Sequence, residues 1–414
     1  MSVSIWQQPA EYRNLQEFEV VVIGAGIMGA YTANTLAKSR RKVAVLESRF
    51  PAAGATGRNA GFCMMGATDN YATGVKRYGR DKARQLWFMT RENQRKTLEF
   101  IEIFGTFSIR CGAAITAIDA SESELLTQAY QLMREDGLNV SFSSTDPFER
   151  GFGAAILQPD DFGLDPVGLV NALLDDAAKQ GAKLFCPAEV YAISQTNDGK
   201  LLVEARGLQV VCEQVALCTN AYSPLISSYF NDKVAPRRGQ ILMTAPVGHK
   251  VMDRLAYSNY GYEYFRQLPN GSFLLGGGRG QHPELEVGYD EVPTAWVQAT
   301  LEEFLQKHFP DVVKAAPIVR RWAGIMGFAV DGLPLVGRLP EVPGQFQPIQ
   351  QPIVPAPTFQ VATTPPVTQT EIYYAVGLTG HGMGWGLITA DAMLEQMLGH
   401  KSDGGLFDVK RLYV

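Results

Sequence analysis

"FEVVVIGAGIMGAYTANTLAKSRRKVAVLES", residues 18–48, is the stretch on which the fold turns. Residues 18–23 form a hydrophobic run rich in valine and isoleucine, suited to a strand buried on both faces. Gly24, Gly26 and Gly29 follow at once, and Ile27, Ala30, Ala33 and Ala37 recur at helical spacing. "KVAVLE" then supplies a second strand ending on Glu47. The whole has the length of one βαβ unit, about thirty residues. Gly24 permits the tight turn out of the strand, Gly26 lets backbone approach a pyrophosphate, and Gly29 lets the helix lie close to the sheet. The helix N-terminus, at Ile27 and Met28, offers unpaired N–H groups and a positive dipole end to phosphates. Glu47, with Ser48 beside it, stands where an acid accepts hydrogen bonds from an adenosine ribose. The unit therefore predicts a dinucleotide site, and leaves NAD and FAD both open.

Composition narrows the class. The chain has 414 residues, long enough for two domains, and its 46% apolar content suits a sizeable core. A net charge of −5 without a dense basic run argues against nucleic acid. Five scattered cysteines lack C-x-x-C spacing and five histidines form no H-x-x-x-H pair, so reduced, buried thiols and no protein-bound metal are expected. The first twenty residues lack a positive segment followed by an apolar one, and no apolar run reaches about 18 residues. A cytoplasmic protein without a membrane span is the expectation.

Further along, "LDPVGLVNALLDDAAKQGAKLFC" predicts a helix capped by Asp165, opened by Pro166 and stopped at Gly181. Strand-like runs follow at 183–186, 188–194, 200–205 and 208–218. "YEYFRQLPNGSFLLGGG" alternates around Asn270-Gly271, the signal of a type I′ hairpin. "TAWVQATLEEFLQKHF" predicts an amphipathic helix ended by Pro310. Residues 340–371 are rich in Pro and Gln without hydrophobic period and predict a flexible insertion, away from the ligand end of the sheet. "IYYAVG" resumes a strand, and "LTGHGMGWG" leads into a final helix.

A second motif, "GATGRNAGF" at 54–62, sets Arg58 and Asn59 among small residues soon after the second strand. Here the chain resembles the FAD-dependent D-amino-acid oxidase, glycine oxidase and sarcosine oxidase (DAO) family. It looks most like the γ-glutamylputrescine oxidase-like branch, whose members carry a similar "GASGRNGG". "TNAYS", "RRGQ", "YFRQLPNGSFLLGGGR", "RRWAGIMGFAVDGLPLVGRLP" and "GLTGHGMGWG" extend the resemblance over nearly the whole chain, the Pro/Gln stretch excepted. The resemblance implies that Ala55, Thr56, Gly57, Arg58, Asn59, Ala60 and Gly61 pass along the flavin, with Arg58 and Asn59 hydrogen-bonding around its ring. It implies adenine contacts at Val190 and further cofactor contacts at Thr219 and Asn220. Gly380, His381, Gly382, Met383 and Gly384 would bring a helix beginning near Gly384 to the negative charge of a reduced flavin. His381 is equally compatible with a purely structural role.

Departures from the family matter as much. The arginine that grips a substrate carboxylate in amino-acid-specific members is matched by Met326, so an α-amino acid becomes a doubtful substrate, and Arg266 and Arg279 are the candidate replacements. No cysteine follows Cys218, which excludes the covalent flavin link of sarcosine-oxidase-like members and implies non-covalent FAD. The lysine those members hold over the flavin is matched by Leu274. Tyr257, Tyr260, Tyr262 and Tyr264 cluster near the hairpin, and Tyr262 and Tyr264, with Met326, are the candidate substrate-pocket residues.

The expected fold is α/β (α+β overall). A Rossmann-type FAD/NAD(P)-binding domain is drawn from 1–90, 150–225 and 320–414. A substrate domain with a mixed or antiparallel sheet is drawn from 91–149 and 226–319. The resemblance implies hydride transfer from the C–N carbon of an amine or amino acid to flavin N5, hydrolysis of the imine, and reoxidation by O2 to H2O2. A flavin amine dehydrogenase passing electrons to another acceptor and a catalytically idle FAD-binding protein remain alternatives.

Overall fold

The computed structural model describes residues 14–346, 370–400 and 405–413. Most of the Pro/Gln-rich stretch, 347–369, lies outside the described residues.

A six-stranded sheet carries the opening motif. Its order is Lys183–Phe185, Val43–Leu46, Val20–Ile23, Gln214–Leu217, Ile372–Val376 and Leu335–Arg338. The first five strands are parallel and the last antiparallel. Val20–Ile23 is buried along its whole length, as a central parallel strand must be. The helix Ile27–Lys38 packs against Pro166–Lys179 and Gly382–Met397, and its small residues let all three approach. A Cβ on Gly29 would stand 1.8 Å from the Gly24 carbonyl oxygen, so only glycine allows the helix to leave the strand this way.

A five-stranded sheet in the order Asn14–Glu17, Leu208–Cys212, Leu201–Ala205, Val190–Gln195 and Gly344–Gln345 covers one end. The run 208–218, which reads as one strand, is two. Glu213 and Gln214 both donate their N–H to Glu19 O, and that kink sends Leu208–Cys212 to one sheet and Gln214–Leu217 to the other.

The eight-stranded sheet is mostly antiparallel, with one parallel pair between Leu255–Ser258 and Ala113–Thr116. Its longest pair is Val234–Pro246 with Ile318–Ala329. Ala155–Gln158 and Ile318–Ala329 belong to this sheet, although the boundaries at 150 and 320 would put the first strand and most of the second in the cofactor domain. Conversely Arg80–Phe104 packs on Gly382–Met397, so the boundary at 90 cuts a helix. The hairpin after Gln267 also differs from expectation. Gly271 N donates to Leu268 O with Pro269 and Asn270 between them, and proline cannot take the positive φ of a type I′ turn. Only Gly271, at φ 86°, is left-handed.

The helix Pro166–Lys179 begins as expected, with Asp165 accepting the Val167 N–H. Ala295–His308 ends before Pro310, which opens a second short helix, Pro310–Ala315. All five cysteines are free; Cys63, Cys212 and Cys218 are buried, but Cys186 is exposed and Cys111 half-buried. Among the described residues no helix is long and apolar enough to cross a membrane.

Candidate active site

One cavity of about 970 Å³ is lined by residues of the six-, five- and eight-stranded sheets and their loops. That is near the top of the range of roughly 300–1,000 Å³ common for ligand sites. Two helix N-termini open onto it. Ile27–Lys38 starts at Gly26 and Gly382–Met397 at His381, and neither of these two residues caps its helix with its own side chain. Their first-turn N–H groups and dipoles therefore favour negative charge in the cavity. The C-terminal helix begins two residues before its predicted start, with Gly384 and Trp385 N–H donating to His381 O.

Most predicted cofactor residues line this cavity: Gly24, Gly26, Ile27, Met28, Glu47, Ser48, Ala55, Thr56, Arg58, Asn59, Ala60, Val190, Thr219, Asn220, and Gly380 through Gly384. Gly29, Gly57 and Gly61 do not. A Cβ on each would meet a backbone oxygen, that of Gly24, Ala52 and Leu164 respectively, so their work is close packing behind the wall. Glu47 Oε2 accepts from Ala25 N (2.9 Å) and Oε1 from Arg49 N (2.9 Å), which fixes the carboxylate at the strand end with acceptor capacity to spare. Thr56 Oγ1 accepts from Ile27 N (3.2 Å), joining the two glycine-rich motifs directly. Asn220 Oδ1 accepts from Gly377 N (3.1 Å) and Leu378 N (3.3 Å), and so shapes the turn before His381.

Besides lining the cavity, Arg58 and Asn59 hold groups of the protein itself. Arg58 Nε donates to Ala53 O (2.9 Å) and Nη1 to Ala323 O (2.7 Å), while Nη2 pairs with Glu291 (2.8 Å). Asn59 Nδ2 donates to Thr56 O (2.7 Å) and its Oδ1 accepts from Gly61 N (2.7 Å). The polar pair thus shapes its own loop and ties it to the long strand pair.

Around His381 the lining is apolar and aromatic, with Phe62, Met64, Tyr257, Tyr264, Ile325 and Met326. Tyr264 and Met326 stand there as expected, but Tyr262 does not. It precedes the strand Glu263–Gln267, after three left-handed residues at 259–261, so strand alternation does not reach it. Its ring faces Arg279 instead. Arg266 is buried and donates to Ala60 O (3.2 Å) and Gly61 O (3.0 Å), bracing the loop from behind, so it is no carboxylate grip. Leu274, itself outside the cavity lining, packs behind it with Ala60, Phe62 and Met64 in an apolar cluster. Burial lowers the His381 pKa to about 4, which makes the ring neutral at physiological pH. Burial pushes Tyr264 up to about 12.

Several lining groups had no sequence signal. Glu291 accepts from Arg49 (2.7 Å), Arg58 and Tyr222 (2.9 Å), and fastens segment 280–293 across the cavity. Phe346 lines the Val190 end, with its N–H on Tyr191 O (2.7 Å), and Gly344–Gln345 pairs with Val190–Gln195. The beginning of the Pro/Gln-rich stretch therefore does reach the site, because the chain crosses from the edge strand Leu335–Arg338 to the neighbouring sheet.

Asp161 supports the apolar end from outside. Its Oδ1 accepts from Met65 N (2.9 Å) and Gln94 Nε2 (2.6 Å), and its buried Oδ2 has no partner. Burial raises its pKa from 3.8 to about 8. An acid whose folded pKa is raised stabilises the fold while protonated, and that stability drains as pH climbs from about 4 to about 8. Asp161→Asn, which imitates the protonated acid, should gain on the wild type with rising pH. The expected difference is on the order of 3 kcal/mol between pH 5.5 and 8. Denaturant melts at both values check it, and parallel pH profiles would refute it.

A pocket of this volume, with two helix N-termini, a carboxylate at a strand end and an apolar wall, fits FAD. Comparison with known proteins agrees. The family description "FAD dependent oxidoreductase" (DAO) matches residues 19–396. The chain is 22% identical over 420 residues to the "Probable oxidoreductase OrdL" of Haemophilus influenzae, covering 95% of this chain and 86% of that one. It is 24% identical over 390 residues to the gamma-glutamylputrescine oxidoreductase of Escherichia coli, covering 88% and 80%. The crystal structure of glycine oxidase from Geobacillus kaustophilus superposes with a TM-score of 0.75 at 19% identity, covering 95% and 98%. The chain belongs to the DAO family of FAD-dependent oxidoreductases.

Proposed function

We propose that this protein oxidises the C–N bond of an amine or amino acid, with FAD held non-covalently in the cavity. The observation that carries the reading is one cavity lined by two helix N-termini, Glu47 and an apolar wall bearing Tyr257 and Tyr264. The relatives named as a gamma-glutamylputrescine oxidoreductase and a glycine oxidase support it. Bound FAD would supply the redox chemistry, accepting a hydride at N5 from the carbon bearing the nitrogen, so that an imine is left for water to hydrolyse.

The chain's own groups divide the remaining work. The first helix and Glu47 hold the nucleotide half. Asn59, Arg58 and Arg266 fix the loop 55–61 so that its backbone presents a rigid wall. The apolar end penalises an ammonium ion by desolvation and so favours the neutral amine, which needs no dedicated base. Neutral His381 offers one donor and one acceptor nitrogen there without adding charge. In this reading the six- and five-stranded sheets serve the cofactor and the eight-stranded sheet serves the substrate.

Oxygen uptake and peroxide release on adding primary amines, N-methyl amino acids and D-amino acids test the acceptor. Peroxide equal to the oxygen consumed supports an oxidase. Flavin that bleaches and stays bleached in air supports a dehydrogenase with another acceptor. Flavin that no compound bleaches supports an idle FAD-binding protein.

A further inference from the structure

Two buried oxygens behind the cavity wall lack a partner. Asp161 Oδ2 and Gln158 Oε1 are both enclosed, and among the described residues neither meets a hydrogen-bond donor. Their side chains hold one and the same residue. Met65 N–H donates to Asp161 Oδ1 (2.9 Å), and Gln158 Nε2 donates to Met65 O (3.3 Å). The second contact fixes which way the Gln158 amide points, because a carbonyl can only accept. Gln94 Nε2 gives Asp161 Oδ1 a further hydrogen bond (2.6 Å), while Oδ2 receives none. A buried acceptor left without a donor is costly. One proton on Asp161 Oδ2 removes the first orphan and supplies the donor that the second lacks. An asparagine in its place would meet the same need without ever titrating, so an acid there keeps the proton exchangeable.

The pair stands close to the candidate site. Met64, the chain neighbour of Met65, lines the cavity, and so does Tyr257. Burial raises the Tyr257 hydroxyl and the Cys63 thiol, and the Asp161 charge raises both further, so that charge is felt at the wall. Cys63 Sγ in turn reaches Met383 O (3.3 Å) in the first turn of Gly382–Met397. Two other charges act on Asp161 in opposite senses, Asp160 and Arg91, and these pair with each other at 2.8 Å. Burial therefore dominates the hold on the proton.

We propose that Asp161 and Gln158 share a buried proton, and that losing it to solvent at alkaline pH makes the bound flavin harder to reduce. This rests on the function proposed above, in which the redox step takes place inside the same cavity. Reduction adds negative charge there, and an ionised Asp161 opposes it across a poorly screened interior. Asp161 acts through the wall as a positioning residue and touches no reacting atom.

The test measures the flavin midpoint potential of FAD-loaded protein from pH 6 to pH 9 against reference dyes, for the wild type, D161N and Q158M. The D161N amide imitates the protonated acid at every pH. Wild type and D161N should run together near pH 6, and the wild type should fall below the variant by pH 9. That divergence corresponds to a proton held about 3- to 30-fold more tightly in the reduced than in the oxidised protein. Q158M leaves the acid in place but withdraws the acceptor, and should move the divergence to lower pH. The infrared difference between pH 6 and pH 9 should contain a protonated carboxyl band that D161N lacks. Potentials that stay parallel in the wild type and D161N overturn this inference alone, as does the absence of that band; a buried water donating to both oxygens would give either result. A protein that takes up no FAD overturns the proposed function and this inference with it.

Discussion

Gly29→Ala should yield a protein that purifies without flavin and unfolds well below the wild type. The added methyl would lie 1.8 Å from the Gly24 carbonyl oxygen, and that atom belongs to backbone, which has no rotamer to escape into. Overpacking against side chains costs about 1–3 kcal/mol. Here the helix itself must move away from the strand Val20–Ile23, so a loss above that range is expected. The displacement also carries off the N–H groups that face the cavity and the Thr56 contact at Ile27. Flavin absorbance per chain and a thermal melt read both effects. Full flavin occupancy with an unchanged melt would contradict this account of the motif.

Arg58→Ala should be nearly as damaging for another reason. Its guanidinium joins three parts of the molecule at once: Ala53 in the preceding loop, Ala323 on the long strand pair, and Glu291 on the segment crossing the cavity. Truncation removes this donor from Ala323 O, leaves Ala53 O with the Arg49 Nη2 contact (3.2 Å) alone, and leaves Glu291 with Arg49 and Tyr222. A stability loss of about 2–4 kcal/mol is expected, with weaker FAD affinity because the loop 55–61 loses its anchor. Arg58→Lys should not restore it, since one ammonium cannot meet three acceptors set around a planar fork. Reconstitution of the apoprotein with FAD, followed by fluorescence quenching, measures the affinity. Wild-type affinity in Arg58→Lys would show that charge alone matters there.

The local motifs were legible because their physics is local. A buried strand, a glycine turn and a helix start lie within thirty residues, and Asp165-Pro166 announces its helix in two. What escaped was decided at a distance. Arg58 finds its partners 265 and 233 positions away, and nothing near Glu291 marks it as their acceptor. Arg266 reads as a hairpin arginine, yet it is buried because the loop 59–61 lies over it. The hydrophobic run 208–218 is continuous, and only Glu19 reveals where it divides. Pro269, next to Asn270-Gly271, did carry a local signal against the type I′ turn.

One anaerobic titration decides whether the cavity holds FAD beside a site for C–N bond oxidation. The visible spectrum of the purified protein is recorded while polyamines, γ-glutamyl amines, ω-amino acids, N-methyl amino acids and D-amino acids are added in turn. A bound-flavin spectrum that one amine class bleaches completely is expected, with the flavin released intact on denaturation. A colourless protein that takes up no added FAD would contradict it.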